Sequence, residues 1–371
     1  MITSNPHRLS FASRLLLGVL LPALALSACG GGNAANPAPP ESSAAVTAMA
    51  SVTPLDPSPS PSPVASAVSP LTGLPVQGEL PRPLAVMINN APAARPQSGI
   101  SEADVLYEVL AEGGITRLIG IFQSHSGVVK IGPIRSIRPY LIDLGESYKA
   151  VTVHAGGSPA AYAILQHEHK EDMDEIGKAG HYFWWDATRK APHNLYSNDA
   201  KLREGADKLG YAQTAAVPGY SFTDPDYFLA EGAPAPKFSV QFLLKSYTVG
   251  YEYNEQTRNY ERQVNGQPHL DLNDGQPVAA ANVMVMGADH KVLDDVGRLQ
   301  IDVELGGEAM LFQRGQVLKG RWSREPGDII RFVKQDGKEA EMYPGVTHIL
   351  IVPNTPSFAS HVEMTADLAT N

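Results

Sequence analysis

Cysteine is almost missing: Cys29 is the only one in 371 residues. A single thiol cannot close an internal disulfide or build a multi-cysteine metal centre, and once modified it leaves no cysteine nucleophile. The chain also lacks a Gly-x-Ser-x-Gly elbow, any serine followed three residues later by lysine, a P-loop and a dinucleotide glycine fingerprint. These patterns place a nucleophile on a strained turn or cradle phosphate, and their absence removes the usual signals for those chemistries. Positive charge is scarce as well, with 29 Lys and Arg against 39 Asp and Glu and a formal net charge of −10. An acidic excess argues against general nucleic-acid binding and against a polybasic membrane patch, so any attraction for anions must be local.

The long apolar run is confined to the start. His7, Arg8 and Arg14 precede Leu15 to Leu26, and the run ends in Leu26, Ser27, Ala28, Cys29. A charged then apolar leader, too short to span a bilayer comfortably and closed by small residues, is a signal peptide. Its end resembles the bacterial lipobox, which implies removal of residues 1–28 and acylation of Cys29, with palmitate among the expected acyl chains. The expected location is therefore outside the cytoplasm, anchored to the cell membrane through lipid. Loss of the leader removes two arginines and no acid, leaving 27 basic and 39 acidic residues, a net charge of −12.

Residues 29–70 are Gly, Ala, Ser, Thr and Pro with almost no charge, including nine prolines. Such a stretch cannot bury enough apolar surface to offset chain entropy, and it is expected to be a disordered tether. At ~3 Å per residue in extended form it reaches up to roughly 100 Å. About 290 residues remain, enough for a sizeable core and more naturally two domains than one.

The first of these, residues 71–230, is expected to be α+β or α/β with a mixed sheet. A strand is predicted over Leu84 to Ile88, then a loop over Asn89 to Gly99. Alternating runs on either side of Gly113 and Gly114 predict a hairpin that ends near Gln123. A short strand near Val128 to Ile131 precedes a helix from Pro139 to about Lys149. Then come a strand over Ala150 to His154, a glycine turn, and a helix opened by Ser158 and Pro159, the N-cap and first-turn residues that such a start favours. Lys170 to Lys178 is expected to be helical, HYFWWD over His181 to Asp186 a buried strand, and Asn198 the cap of a helix from Asp199. From 231 to 355 short strands at regular spacing predict a β-rich domain, with strands starting near Phe238, Tyr247, Arg258, Asn282, Leu299, Glu308, Ile329 and His348. The tail, 356–371, is weakly patterned.

Candidate chemistry centres on Ile131 to Pro159. The amides of Gly156, Gly157 and Ser158 at a helix start suit an anion, with Arg135 and Arg138 as charge partners and Arg117 and Arg189 in support. The opposing possibility is that these arginines pair with Glu108, Glu112 or Asp143 and hold loops together. His154 and His193 are the candidate acid or base if the site is catalytic. Ser158 has a capping role to fill, which weakens it as a nucleophile. His167, His169 and His181 lie near Glu168, Asp172 and Asp174, but their order does not match a helical metal pair, so no metal site and no cofactor are assigned. Tyr182, Phe183, Trp184 and Trp185 suit a core better than a sugar platform.

RPLAVMINN at 82–90, ARPQSGISEADVLYE at 94–108, EGGITRLIGIFQS at 112–124, IGPIRSIRPY at 131–140, HAGGSP at 154–159 and RKAPHNLY at 189–196 resemble the YerB-like family of bacterial lipoproteins. That family is described by a domain of unknown function, number 3048, with N- and C-terminal parts. The resemblance spans residues 71 to about 355 and implies a two-domain envelope lipoprotein, with no established reaction to carry over. The resulting expectation is a noncatalytic, lipid-anchored factor that binds a cell-wall component such as peptidoglycan, or a wall-synthesis protein. The alternative is an enzyme acting on an anionic wall or sugar-phosphate substrate, and a surface-only interaction module is third.

Overall fold

The computed structural model describes residues 67–365. The leader, Cys29 and the tether up to Ser66 lie outside the described residues, as do residues 366–371.

The organising element is an 11-stranded mixed sheet. Its first strand, β1 (Leu84–Asn89), is continuously apolar because both of its faces are covered. Ala85 and Met87 face one core, while Leu84, Val86 and Ile88 face another. β2 (Val105–Leu110) and β3 (Thr116–Phe122) form the expected antiparallel hairpin. Its turn contains Gly113 and Gly114 at φ +71° and +74°, backbone that side-chain-bearing residues avoid. Helix α1 (Pro139–Glu146) leads into β4 (Val151–His154), and α2 (Pro159–His167) follows with Ser158 Oγ accepting from the Ala161 amide. β5 (Asp172–Asp174) pairs parallel to β4 at the sheet edge. Helix α3 (Asp199–Lys208) is capped by Asn198, whose side chain accepts from the Lys201 amide. Leu202 and Ala206 of α3 share a core with Leu84 and Met173, whereas α1 and α2 pack on the opposite face.

The C-terminal half continues the same sheet and adds a second. After β6 (Lys237–Gln241), β7 (Thr248–Asn254) and β8 (Asn259–Val264) come β9 (Asn282–Ala288), β10 (His290–Val292) and β11 (Leu299–Ile301). The chain then forms β12 (Gly307–Gln313), β13 (Gln316–Ser323), β14 (Arg331–Lys334), β15 (Thr347–Pro353) and β16 (Val362–Thr365). In the large sheet the order from one edge is β13, β12, β9, β15, β2, β3, β1, β4, β5, with Ala233–Pro234 and β14 both paired to β13. The halves meet where β15 runs parallel to β2, Thr347 opposite Val105 and Ile351 opposite Val109. The second sheet, built on β8, β7, β6 and β16, packs against the first through Phe238, which stacks on Phe312 at 3.6 Å between centroids.

The expected mixed-sheet first half and β-rich second half are what the structure contains, with local differences. Lys170 to Lys178 is no helix: Met173 is fully buried, and the alternation around it makes β5. HYFWWD is a 3-10 turn followed by the short strand Trp184–Trp185, and Trp185 is 51% exposed. Val128 to Ile131 forms only a single bridge, Ile131 to Ser197.

A buried polar network joins β2 to β7 and β8. The carboxylate of Glu108 accepts from Arg262 Nη2 at 2.8 Å, with side chains 3% and 1% exposed. Tyr247 Oη and Thr116 Oγ1 each donate to Glu108 Oε1 at 2.6 Å, and Asn90 Nδ2 adds a third donor at 3.1 Å. Arg262 Nε donates to His269 Nδ1, which places the imidazole proton on Nε2, and that nitrogen donates to Gln97 Oε1 at 2.7 Å. Arg262 Nη1 reaches Tyr251 Oη, and this hydroxyl donates to His348 Nδ1. Burial and then the Arg262 charge push His269 down to about 2 and His348 down to about 3.

Two outcomes are expected. Arg262→Met leaves the buried Glu108 charge without its ion-pair partner and should cost about 3–5 kcal/mol in urea unfolding, with about 2 kcal/mol regained when Glu108→Leu is added; equal stability of the single variant and wild type would contradict this. The second concerns pH. Both histidines bind protons in the unfolded chain below their ordinary pKa but not in the folded one, so stability should fall as pH drops from about 6.5 to 5, by up to ~1.4 kcal/mol per pH unit for each. His348→Asn should flatten that slope, as read by denaturant midpoints across this range.

Candidate functional site

The C-terminal end of β1 carries Asn89 and Asn90, and the two amides face different surroundings. Asn90 enters the Glu108 network, receiving Gln97 Nε2 on its Oδ1 at 2.8 Å. Asn89, also buried, turns to the other side of the strand: its Oδ1 accepts from the Ala91 amide, which orients Nδ2 toward His193 Nδ1 at 2.8 Å. The donor on Asn89 therefore leaves the His193 proton on Nε2. Beyond Val86 the neighbour of β1 changes from β4 to the segment around Ile134. Asn89 donates its amide to Pro133 O, and Arg135 donates its amide to Met87 O. On the other side of β1, Arg117 of β3 lies opposite Asn89.

This pairing gathers three guanidinium groups, Arg117, Arg135 and Arg138, of which Arg138 and Arg117 act on the carboxylate of Glu112. Arg138 holds Glu112 of the β2–β3 turn with Nε on Oε1 and Nη2 on Oε2. Burial works against the Glu112 charge, but the Arg138 hydrogen bonds, with the charges of Arg138 and Arg117, hold its carboxyl below the ordinary value. Arg117 is 6% exposed, donates through Nη1 to Ser136 O, and has a buried Nε with no partner among the described residues. Burial, with repulsion from Arg138 and Arg135, pushes Arg117 down to about 10. Arg135 is half-buried and its guanidinium makes no hydrogen bond or ion pair among the described residues; burial and then Arg138 lower its pKa. The positive field extends to His193, which burial and the charges of Arg135 and Arg189 keep below its ordinary pKa. Arg189 braces the loop after β1, donating to Ala94 O at 2.8 Å and Pro96 O at 2.6 Å. At neutral pH this face offers cationic Arg135 beside a neutral His193 whose Nε2–H is a donor.

The glycine turn is arranged differently. The Gly156 amide donates to Asp174 Oδ1 at 2.9 Å, and the Ser158 amide donates to Ile137 O. Tyr162 Oη donates to the other oxygen of Asp174 at 2.7 Å. A carboxylate of the chain itself thus occupies the place an external anion would take, and Ser158 Oγ acts as helix cap. His154 is fully buried: Nδ1 donates to Gly156 O, and Nε2 lies 3.3 Å from Asp172 without a hydrogen bond. No hydrogen bond joins His154 to Ser158. The predicted residues therefore divide into two groups. Arg117, Arg135, Arg138, Arg189 and His193 come together at the end of β1, whereas Gly156, Gly157, Ser158 and His154 form a turn closed on Asp172 and Asp174. Sequence reasoning missed Asn89, which orients His193. It also missed Arg95, whose guanidinium lies 4.7 Å over the Tyr247 ring with a buried Nη1 left unpaired. The two polar residues that end the apolar run of β1 were the available signal.

The mixed sheet shared by two halves is the fold of a known class of proteins. The chain belongs to the DUF3048 family, proteins of unknown function: the family's N-terminal domain matches residues 71–212 and its C-terminal domain residues 238–349. YerB of Bacillus subtilis (strain 168), named as a lipoprotein, is 35% identical over 288 residues, which cover 77% of this chain and 86% of the relative. The crystal structure of the YerB protein from Bacillus subtilis matches with a TM-score of 0.74 at 34% identity, covering 81% of this chain and 100% of that one. The resemblance drawn from the sequence motifs is thereby established, and lipoprotein character is what the relative's name supports.

Proposed function

We propose that this protein is a lipid-anchored lipoprotein outside the cytoplasm that binds an anionic cell-wall component at the arginine face, without catalysing its conversion. The observation that carries this reading is Arg135: a cationic side chain with no partner among the described residues, between Arg138 and His193, in a chain of net charge −10. Guanidinium groups suit carboxylate and phosphate, and a half-buried guanidinium interacts more strongly than one in open water. Wall peptides carry carboxylates and wall polymers carry phosphates, so either group could be the contact. The neutral His193 adds a hydrogen-bond donor without further charge. A binding role is favoured over turnover because Ser158 is committed as a cap and His154 to the Gly156 carbonyl. The charged leader, the lipobox-like end at Cys29 and the relative's name support export and lipid anchoring, and the proline-rich tether would let the folded part reach into the wall.

Two measurements test this. Purified wall fragments bearing free carboxylates should raise the thermal midpoint of the wild-type chain, and Arg135→Ala should weaken binding about tenfold, roughly 1.4 kcal/mol, without loss of fold. Unchanged affinity in that variant would remove the site. Cys29→Ser, expressed in a bacterial host, should abolish incorporation of labelled palmitate and release the chain from the membrane fraction; retention of both would contradict lipid anchoring.

A further inference from the structure

The hairpin of β10 and β11 pairs only with itself among the described residues. Its outer end exposes Val292, Leu293 and Val296 by 63, 52 and 65%, and Leu305, just beyond β11, is 82% exposed. Single exposed aliphatics need no explanation, but Val292, Leu293 and Val296 gather at the tip of the hairpin, and a cluster of that kind marks an interaction surface. Beside it a groove of about 360 Å³ separates the hairpin from the first turns of α1, with Tyr140, Leu293 and Leu299 on its walls and Asp143, Asp302 and Glu304 among its polar groups.

The charges here are unbalanced. Asp294 is held by Arg298, and Glu146 by Lys170. Asp143, Asp302 and Glu304 have no ion pair among the described residues. Asp302 receives only the amides of Glu304 and Leu305. Arg324 points its donors at the backbone carbonyls of Asp143, Val303 and Asp328, which leaves Lys291 of β10, opposite Gln300, as the one cation of the hairpin without an ion pair among the described residues. In keeping with this, the Asp143 carboxyl is raised by burial, and repulsion from Glu304 and Glu146 opposes the help of Arg324.

We propose that this face docks a segment of another polypeptide in which apolar side chains alternate with lysine or arginine. The aliphatic patch supplies the area, and the three unpaired carboxylates supply the sign of charge that the partner must complement. An anionic bilayer would meet those carboxylates with like charge. A symmetric second copy would set the same acids against one another, because a two-fold interface uses one patch twice. This inference is independent of the arginine face.

The test titrates the full chain into a fluorescent synthetic peptide of alternating leucine and lysine and follows anisotropy. Leu293→Ser, Leu305→Ser and Glu304→Lys should each weaken binding about tenfold, while Asp336→Lys, on a distant turn, leaves it unchanged. A peptide with glutamate in place of lysine should bind Glu304→Lys better than wild type. The proposal is overturned if the hairpin variants bind like wild type, which would mark attraction to overall charge. It is equally overturned if the leucine–lysine peptide does not bind at all. Two further results would replace it: phosphatidylglycerol vesicles captured by wild type and lost by Leu305→Ser, or a concentration-dependent dimer that Leu305→Ser abolishes.

Discussion

Burying an ion pair is costly unless the remaining lone pairs and protons of both partners are satisfied, and Glu108 with Arg262 meets that condition only through residues from distant parts of the chain. Glu108 needs Asn90, Thr116 and Tyr247; Arg262 needs His269 and Tyr251. Each donor or acceptor fixes a segment: the loop after β1, the start of β3, and the strands β7 and β8. The parallel pairing of β15 with β2 aligns the halves by backbone, and the Glu108 network locks the second sheet onto them by side chain. Apolar residues could hold the same elements together. A polar network does so in one arrangement, because any shift leaves a buried charge without a partner.

The candidate site inherits its geometry from that arrangement. Asn90 is tied inward to Glu108, so its neighbour Asn89 must project to the other side of the strand, where it orients His193. Gln97 and Arg189 hold the intervening loop from within and from outside. The result is a donor-rich face in an acidic protein, with Glu112 neutralising Arg138 and leaving Arg135 uncommitted. The glycine turn offers an instructive contrast. A helix start attracts anions, but Asp174, the residue after buried Met173, lies within reach of the Gly156 amide, so the intramolecular carboxylate fills the site. Local sequence announces the potential for an anion site; tertiary structure decides which anion takes it.

Much of the fold was legible because its strands are either continuously apolar or cleanly alternating. β1, β2, β3 and β9 announce themselves in that way, and Asn198 and Ser158 mark helix starts by direct capping chemistry. β13 was not anticipated: Lys319, Gly320 and Arg321 interrupt its apolar pattern, and it is a strand because β12 and β14 pair with it. β5 is too short and too acidic to signal a strand, and its structure comes from Met173 being buried beside β4. Of the site, the arginines and His193 could be listed from sequence but not grouped. Grouping depends on strand register, and Arg117 meets Asn89 only through pairing of β1 with β3. The Glu108 pairing with Arg262 spans 154 residues and has no local signature.

The most direct measurement follows the guanidinium resonances of ¹⁵N-arginine-labelled protein by NMR while carboxylate-bearing wall fragments are added. Binding at the arginine face predicts that Arg135 shifts and slows its solvent exchange in proportion to occupancy, that the His193 Nε2 proton becomes observable, and that Arg262 stays unmoved in its buried network. Saturable binding of the same fragments with the Arg135 resonance unchanged would contradict the account.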